Sequence, residues 1–212
     1  MKNYIAERNQ MAADMVIAAL KRRHIEGVYA ENKETALAAA LAMIPEGSSV
    51  GWGGSASIEE IGLKQAVKEG PYSVIDRDTA KDAEERKQLE RQCFFTDYYL
   101  MGTNAITEDG ILVNLDGRGP RVAALCYGPN HVIVIAGMNK LVSDVEAAVK
   151  RVRHTAAPIN ALRFPGESPC RKGGLCKNCL QPSCICSQLV ITRNSMDPNR
   201  IKVILVGEDL GY

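Results

Sequence analysis

Aromatic residues, histidine and long apolar runs are all scarce in this chain. Of 212 residues, 5% are aromatic, with a single tryptophan, and three are histidine. No stretch approaches the roughly 18–20 apolar residues of a membrane span, which excludes a spanning helix from expectation. The run "MVIAAL" follows Glu7, Arg8 and Asp14 and ends in a basic cluster, so it is too short and too charged at its flanks for a secretory signal. A net charge of +1 provides no field for nucleic acid or an acidic membrane. The basic runs "KRRH" and "KRVRH" each close a predicted helix and complement its negative end. His24 and His154 fall at helix ends and His131 at a strand start, so no Ser/His/Asp or Cys/His constellation assembles. H-E-x-x-H and Walker A patterns are absent. A cytoplasmic protein is expected, and in that compartment clustered cysteines signify metal or redox chemistry rather than structural disulfides.

What is present suits a packed core: 46% hydrophobic and 24% charged residues. Residues 3–24 read as an amphipathic helix with Ile5, Met11, Met15, Ala18 and Ala19 near one face. Strands are predicted at "GVYAE", "SSVGW", "YSVID", "DYYLMG" and "HVIVIAG". Helices are predicted from Asn32 to Pro45, over "SIEEIGLKQAVKEG", from Thr79 to Cys93 and from Ser143 to Thr155, the last with Ser143 as N-cap. Asp109 and Gly110 mark a hairpin, and "QLVITR" and "IKVILVGE" are closing strands. Pro158, Pro165, Gly166 and Pro169 break regular structure around the cysteine run. The expected fold is α/β, a mostly parallel sheet flanked by helices. It forms a single domain over residues 1–212 with a cysteine-rich inserted loop at about 165–188.

Ligands of such sheets sit outside the carboxyl ends of the strands. "GWGGSAS" (residues 51–57) is a glycine turn between a strand and a helix. Gly51, Gly53 and Ala56 match G-x-G-x-x-A, with Asp76 following at a plausible distance, but a strand and helix precede the turn and weaken a dinucleotide reading. An anion site and a plain tight turn closed by a Ser57/Glu60 capping box both remain open. "GTNAITEDGILVNLDGRGPRV" places Asn104, Asn114 and Asp116 beside strand ends, where amides and carboxylates suit hydroxyl or phosphate recognition. Their alternative is ordinary turn chemistry. "GMNK" adds a second glycine exit with Asn139 and Lys140, and Lys140 can hold a phosphate or carboxylate. Cys93 and Cys126 read as small buried side chains.

Taken together, "GWGGSASIEEIG", "GTNAITEDGILVNLDGRGPRVAAL", "GPNHVIVIAGMNKLV" and "RHTAAPINALRF" resemble the LUD family, the lactate-utilisation proteins of LutC/YkgG type. The resemblance implies the fold shared by ribose-5-phosphate isomerases, glucosamine-phosphate deaminases and CoA transferases (NagB/RpiA/CoA-transferase-like). It also implies a ligand site at the glycine turn, carried here by Gly53, Gly54, Ser55 and Ser57, with Asn104, Asn114, Asp116, Gly117, Asn139 and Lys140 completing the candidate set. Threonine is more usual at the Ser57 position, and Arg118 and Pro120 also depart from the family's usual run. The family is associated with oxidation of L-lactate alongside iron–sulfur partner proteins.

Five of seven cysteines lie within "PCRKGGLCKNCLQPSCICSQ" (residues 169–188). The spacing is C-x5-C-x2-C-x4-C-x-C. C-x2-C lets two thiolates bind one metal from a tight turn, Gly173 and Gly174 allow Cys170 to fold back, and Cys184 or Cys186 supplies the fourth ligand. Zinc and an iron–sulfur cluster both take four thiolates, and spacing alone leaves both open. Resemblance to the branches of the family that carry a C-terminal cysteine cluster implies Cys170, Cys176, Cys179 and Cys186 as ligands with Cys184 as the alternate. This is a subfamily feature that does not itself imply lactate, and the family's redox setting favours an iron–sulfur cluster of 4Fe-4S type over zinc.

The leading expectation is therefore a component of organic-acid oxidation or electron transfer. It binds a small anionic or phosphorylated ligand and works with an iron–sulfur partner protein, not with nucleic acid or a membrane. The rivals are an isomerase- or transferase-like enzyme for phosphosugars or CoA esters with a structural zinc, and a non-catalytic subunit of a lactate-oxidising complex.

Overall fold

A computed structural model describes residues 3–212 of the chain. In order along it run α1 (Tyr4–Arg22), β1 (Glu26–Ala30), α2 (Lys33–Ala42), β2 (Ser49–Trp52), α3 (Ala56–Glu60), α4 (Leu63–Glu69), β3 (Ser73–Ile75), α5 (Ala83–Gln92), β4 (Tyr98–Gly102) and β5 (Ala105–Thr107). Then follow β6 (Leu112–Asp116), α6 (Pro120–Cys126), β7 (His131–Gly137), β8 (Leu141–Val142), α7 (Val145–Arg151), α8 (Ala157–Ala161), α9 (Pro169–Gly173), β9 (Gln188–Thr192) and β10 (Ile201–Val206). Among the described residues no helix is long and apolar enough to cross a membrane.

The main sheet has the order β1-β10-β7-β4-β2-β3, and every neighbouring pair is parallel. Strands buried on both faces read as continuous apolar runs, and β7 shows why. Val132, Val134 and Ala136 join the core formed with α1 and α6, whereas Ile133 and Ile135 join the one formed with α2, α3 and α4. The alternation follows from the period of two along a strand. A smaller sheet, β8-β5-β6-β9, packs Ala105 and Val113 against Ala148 and Val152 of the helical segment that begins at α7. Its β5–β6 hairpin turns at Gly110, whose φ of +85° explains the residue. The architecture is thus α/β, a parallel sheet flanked by helices.

Local expectations are corrected at several points. The buried face of α1 is Asn9, Ala13, Val16, Ala19 and Leu20, while Ile5, Met11 and Met15 face outward. The small face wins because the helix lies close over β1: a Cβ on Gly27 would stand 3.0 Å from Leu20 Cδ1. Ser55, not Ser57, caps α3, and the helix expected over "SIEEIGLKQAVKEG" is divided by Gly62 at φ +73°. Asp82 caps α5, so that helix begins later than Thr79. Asp144, not Ser143, caps α7, accepting from Ala147 N at 2.8 Å. Beyond α7 the chain widens into a π-helical turn at Val152–Ala156 and continues into α8, with Pro158 in its first turn rather than breaking it. Pro169 likewise opens α9. Cys93 is buried, but Cys126 is exposed.

Candidate functional site

Strand β2 runs into the turn of Gly53 and Gly54, and its neighbours β4 and β7 end on Gly102 and Gly137. A cleft of about 550 Å³ opens there, at the carboxyl ends of parallel strands where such folds place ligands. Gly54, Ser55, Asn104, Asp116, Gly117 and Lys140 of the candidate set line it. Gly53, Ser57, Asn114 and Asn139 stand behind that lining, and each has a structural partner. A Cβ on Gly53 would lie 2.8 Å from Tyr99 Oη and 2.9 Å from Arg121 Cγ, so close packing requires glycine. Asn139 Oδ1 accepts from Leu210 N at 3.2 Å and its Nδ2 donates to Gly211 O at 3.3 Å, holding residues 210–212 against the cleft.

Arg121, which the sequence reading passed over in favour of Arg118, organises the polar middle. Pro120 occupies the first turn of α6, the usual place for proline, and delivers Arg121 next to the end of β6. Its guanidinium donates to Asn114 Oδ1 (2.6 Å), Asn104 Oδ1 (2.8 Å), Gly102 O (3.0 Å), Leu115 O (3.0 Å) and Asp116 Oδ1 (3.3 Å). Five donors thus meet five acceptors. Asn104, Asn114 and Asp116 do converge, but on this arginine. Among the described residues Asn114 Nδ2 is buried without a hydrogen-bond partner.

Lys140 has different surroundings. It is 4% exposed, and Nζ donates to Ser57 Oγ at 2.7 Å. Burial, then the positive charges of Arg151 and Arg121, lower its pKa from 10.5 to about 7. Lys64, by contrast, pairs with Glu59 at 2.8 Å and Asp78 at 2.9 Å. Burial raises the Asp78 pKa, but the hydrogen bond and charge of Lys64 outweigh it and hold the carboxyl at about 2. Arg77, buried, pairs with Glu90 at 3.0 Å and leaves Nε without a hydrogen bond. Its Nη2 passes 3.1 Å from where a Cβ on Gly54 would be. Asp76 of the dinucleotide reading is engaged with Lys68 and caps its own turn by accepting from Asp78 N at 2.8 Å. Arg118 is exposed, 4.0 Å from Glu90. Arg163 and Asn160 meet at the hydroxyl of Tyr212, at 2.9 and 2.7 Å. No periodicity in the sequence brings these last residues to the cleft. In all, seven basic and four acidic side chains line it. No histidine does, among the described residues.

A second cavity of about 100 Å³ adjoins the first. Cys170, Cys176, Cys179 and Cys186 line it together, with Arg153 and Lys177 beside them. The fold-back rests on Gly174, whose φ of +72° ends α9 as its N–H bonds Cys170 O at 2.8 Å. Asn178, between the two cysteines of the C-x2-C, is also left-handed at φ +50°. Cys184 lines the large cleft instead, and its Sγ lies 2.9 Å from Cys186 Sγ. Burial, then the contact with Cys184, pushes the Cys186 thiol up to about 12. The thiols share a cavity without closing to ligating separation: no group of three or more His, Cys, Asp or Glu among the described residues stands close enough to hold a metal ion. The donor chemistry, four sulfurs flanked by cations, nevertheless suits a thiolate-bound metal group.

The LUD domain profile matches residues 13–206. No curated protein matches the chain. Among solved structures, a DUF162 family protein from Deinococcus radiodurans is similar over 93% of this chain and 98% of its own, at 14% identity and a TM-score of 0.54. Ribose 5-phosphate isomerase A from Neisseria gonorrhoeae shares 16% identity over 64% of this chain and 66% of its own, TM-score 0.36. The eIF2B delta protein from Chaetomium thermophilum shares 19% over 57% and 54%, TM-score 0.37.

Proposed function

Because the chain belongs to the LUD-domain family, related to lactate utilisation, we propose that it binds a small organic anion in the large cleft and serves oxidation of organic acids, lactate foremost, by relaying electrons through an iron–sulfur centre. The observation that carries this reading is the adjacency of the two cavities. Leu115 lines both, and Cys184 of the cleft touches Cys186 of the cysteine cavity at 2.9 Å. Cys170, Cys176, Cys179 and Cys186 would hold the cluster, with Arg153 and Lys177 offsetting its negative charge. When bound, such a group supplies one-electron transfer.

The chain's own residues do the rest. The basic side chains of the lining attract and orient the carboxylate, Lys140 stands beside the rest of the ligand, and Leu115 offers an apolar wall. Oxidation of a 2-hydroxy acid to a 2-oxo acid releases a pair of electrons and a pair of protons, and the electrons leave to an iron–sulfur partner protein. A second reading draws on size: about 550 Å³ is roomy for a three-carbon acid and suits a phosphosugar or CoA ester, with zinc at the cysteines as a structural clip.

Calorimetric titration of anaerobically purified protein with L-lactate, pyruvate, a sugar phosphate and CoA tests the assignment, with Ser55→Ala and Lys140→Ala as controls. The reading expects saturable heat with the organic acids that weakens in both variants. Binding of only the larger phosphates favours the second reading. No binding at all, or undiminished binding in the variants, removes the cleft site and leaves a non-catalytic subunit.

A further inference from the structure

We propose that Lys140 captures ligands carrying a carbonyl beside an anionic group, the 2-oxo acids being the type, as a covalent imine. The inference rests on the anion-site reading and adds to it a bond-forming residue and a ligand class.

Buried lysines are ordinarily paired with a carboxylate, because an unpaired ammonium in a dry site is costly. Lys140 departs from that pattern. Among the described residues its recorded hydrogen-bond partner is an uncharged hydroxyl, Ser57 Oγ at 2.7 Å, and no carboxylate stands within ion-pair distance. Arg121 in the first turn of α6 and Arg151 at the end of α7 face it with like charge, and Glu60 of α3 is the acidic group that opposes them. Glu60 is itself engaged, its Oε2 accepting from Gly211 N at 3.0 Å. Lys140 nevertheless belongs to the lining of the large cleft. Gly211 leaves room beside it, since a Cβ there would lie 3.2 Å from Ser57 Oγ and 3.5 Å from Lys140 Nζ. An anion-binding cleft served only by charge would gain from a fully protonated lysine. This one is held in conditions that favour the free amine, with a pKa lowered to about 7, the state a nucleophilic lysine requires.

The chemistry balances without an oxidant or reductant. The Nζ lone pair attacks the carbonyl carbon, a C–N bond forms, and the carbonyl oxygen takes up the proton that the nitrogen gives up. Loss of that oxygen as water leaves the C=N bond, and hydrolysis reverses the sequence. The Ser57 hydroxyl, already in contact with Nζ, is placed to pass the proton. The basic lining holds the carboxylate while the carbonyl reacts.

The test uses the full chain, pyruvate and sodium cyanoborohydride, with peptide mass mapping from about pH 6 to about pH 10. The expected result is a carboxyethyl label on Lys140 that rises with a midpoint near 7. Exposed Lys150, whose pKa is raised by its hydrogen bond and ion pair to Glu146, holds its free amine more than about a thousandfold less often at neutral pH and should be labelled far more slowly. Lys140→Arg should lose the label, and Ser57→Ala should keep it at a reduced rate. Label spread evenly over surface lysines, or a Lys140 label that appears only above about pH 10, overturns the proposal even if no variant folds. Calorimetry on the same protein separates the two levels: heat with pyruvate but no label overturns the imine and leaves the anion site standing. Neither heat nor label overturns both.

Discussion

Replacing Lys140 with methionine should make the protein more stable at acidic and neutral pH, the opposite of what removing a useful buried contact would do. The lowering of its pKa from 10.5 to about 7, at about 1.4 kcal/mol per pH unit, sets an upper bound of roughly 5 kcal/mol for keeping the ammonium in its site. Relaxation and water penetration reduce such penalties, so about 2–3 kcal/mol is the working figure. Methionine fills nearly the same volume, but Ser57 Oγ loses its donor at a cost of about 1 kcal/mol. Between the folded value of about 7 and the unfolded 10.5, the unfolded chain holds a proton that the fold lacks. Wild-type stability therefore rises with pH across that window. The advantage of the variant is full below about 7 and gone above 10.5, where the lost hydrogen bond leaves it slightly weaker. Urea unfolding of both proteins at about pH 6 and about pH 10, with a slope of about 2–3 kcal/mol per molar, should show the variant's midpoint higher by about 0.5–1 M at the lower pH and equal or lower at the higher. A variant destabilised equally at both pH values would mean that the amine is not strained, and would refute the reasoning.

Arg121→Ala should cost about 2–4 kcal/mol in urea unfolding, because the two amide oxygens and the half-buried Asp116 carboxylate lose their guanidinium donor, although Asp116 Oδ2 keeps the backbone N–H groups of residues 121 and 122; a loss below about 1 kcal/mol would contradict its central role. Asp78, held at about 2 against its ordinary 3.8, stabilises the fold above 3.8 and loses that effect as pH falls towards 2, so Asp78→Asn should flatten the acid limb of a thermal-melting pH profile. An unchanged limb would assign the acid sensitivity elsewhere. In metal-free protein, a thiol-oxidising diamide should link Cys184 to Cys186, the pair already 2.9 Å apart; peptide mapping that finds Cys176 joined to Cys179 instead would contradict the arrangement of the loop.

The parallel sheet was legible because its strands are apolar on both faces and alternate with helices. The glycine turn was legible because Gly53 is required by its close neighbours Tyr99 and Arg121. Cys170, Cys176, Cys179 and Cys186 line one cavity, but the distances that would make them a ligand set depend on how the loop closes and were not legible. The orientation of α1 was not legible. Hydrophobicity pointed to Ile5, Met11 and Met15, while close approach to β1 selects the smaller face of Ala13 and Val16. Nor were the partners of Asn104, Asn114 and Asp116, since polar residues at strand ends look alike whether they meet a ligand or an arginine from the next helix. Ser57 shows the same ambiguity at shorter range. Its S-x-x-E spacing fits a capping box, but with Ser55 as the cap its hydroxyl turns inward to Lys140. Arg163 and Tyr212 reach the cleft only through the tertiary fold, and no local pattern announces them.

What the cysteine cavity holds decides whether this protein relays electrons, and metal analysis of the protein tests it directly. Protein purified without oxygen should be brown, contain iron and sulfide in the proportions of a 4Fe-4S cluster, and give a paramagnetic signal on one-electron reduction. Cys176→Ser should abolish the colour and Cys184→Ser should retain it. A colourless protein carrying stoichiometric zinc, with Cys176→Ser losing that zinc, would contradict electron relay and leave the cysteines a structural clip.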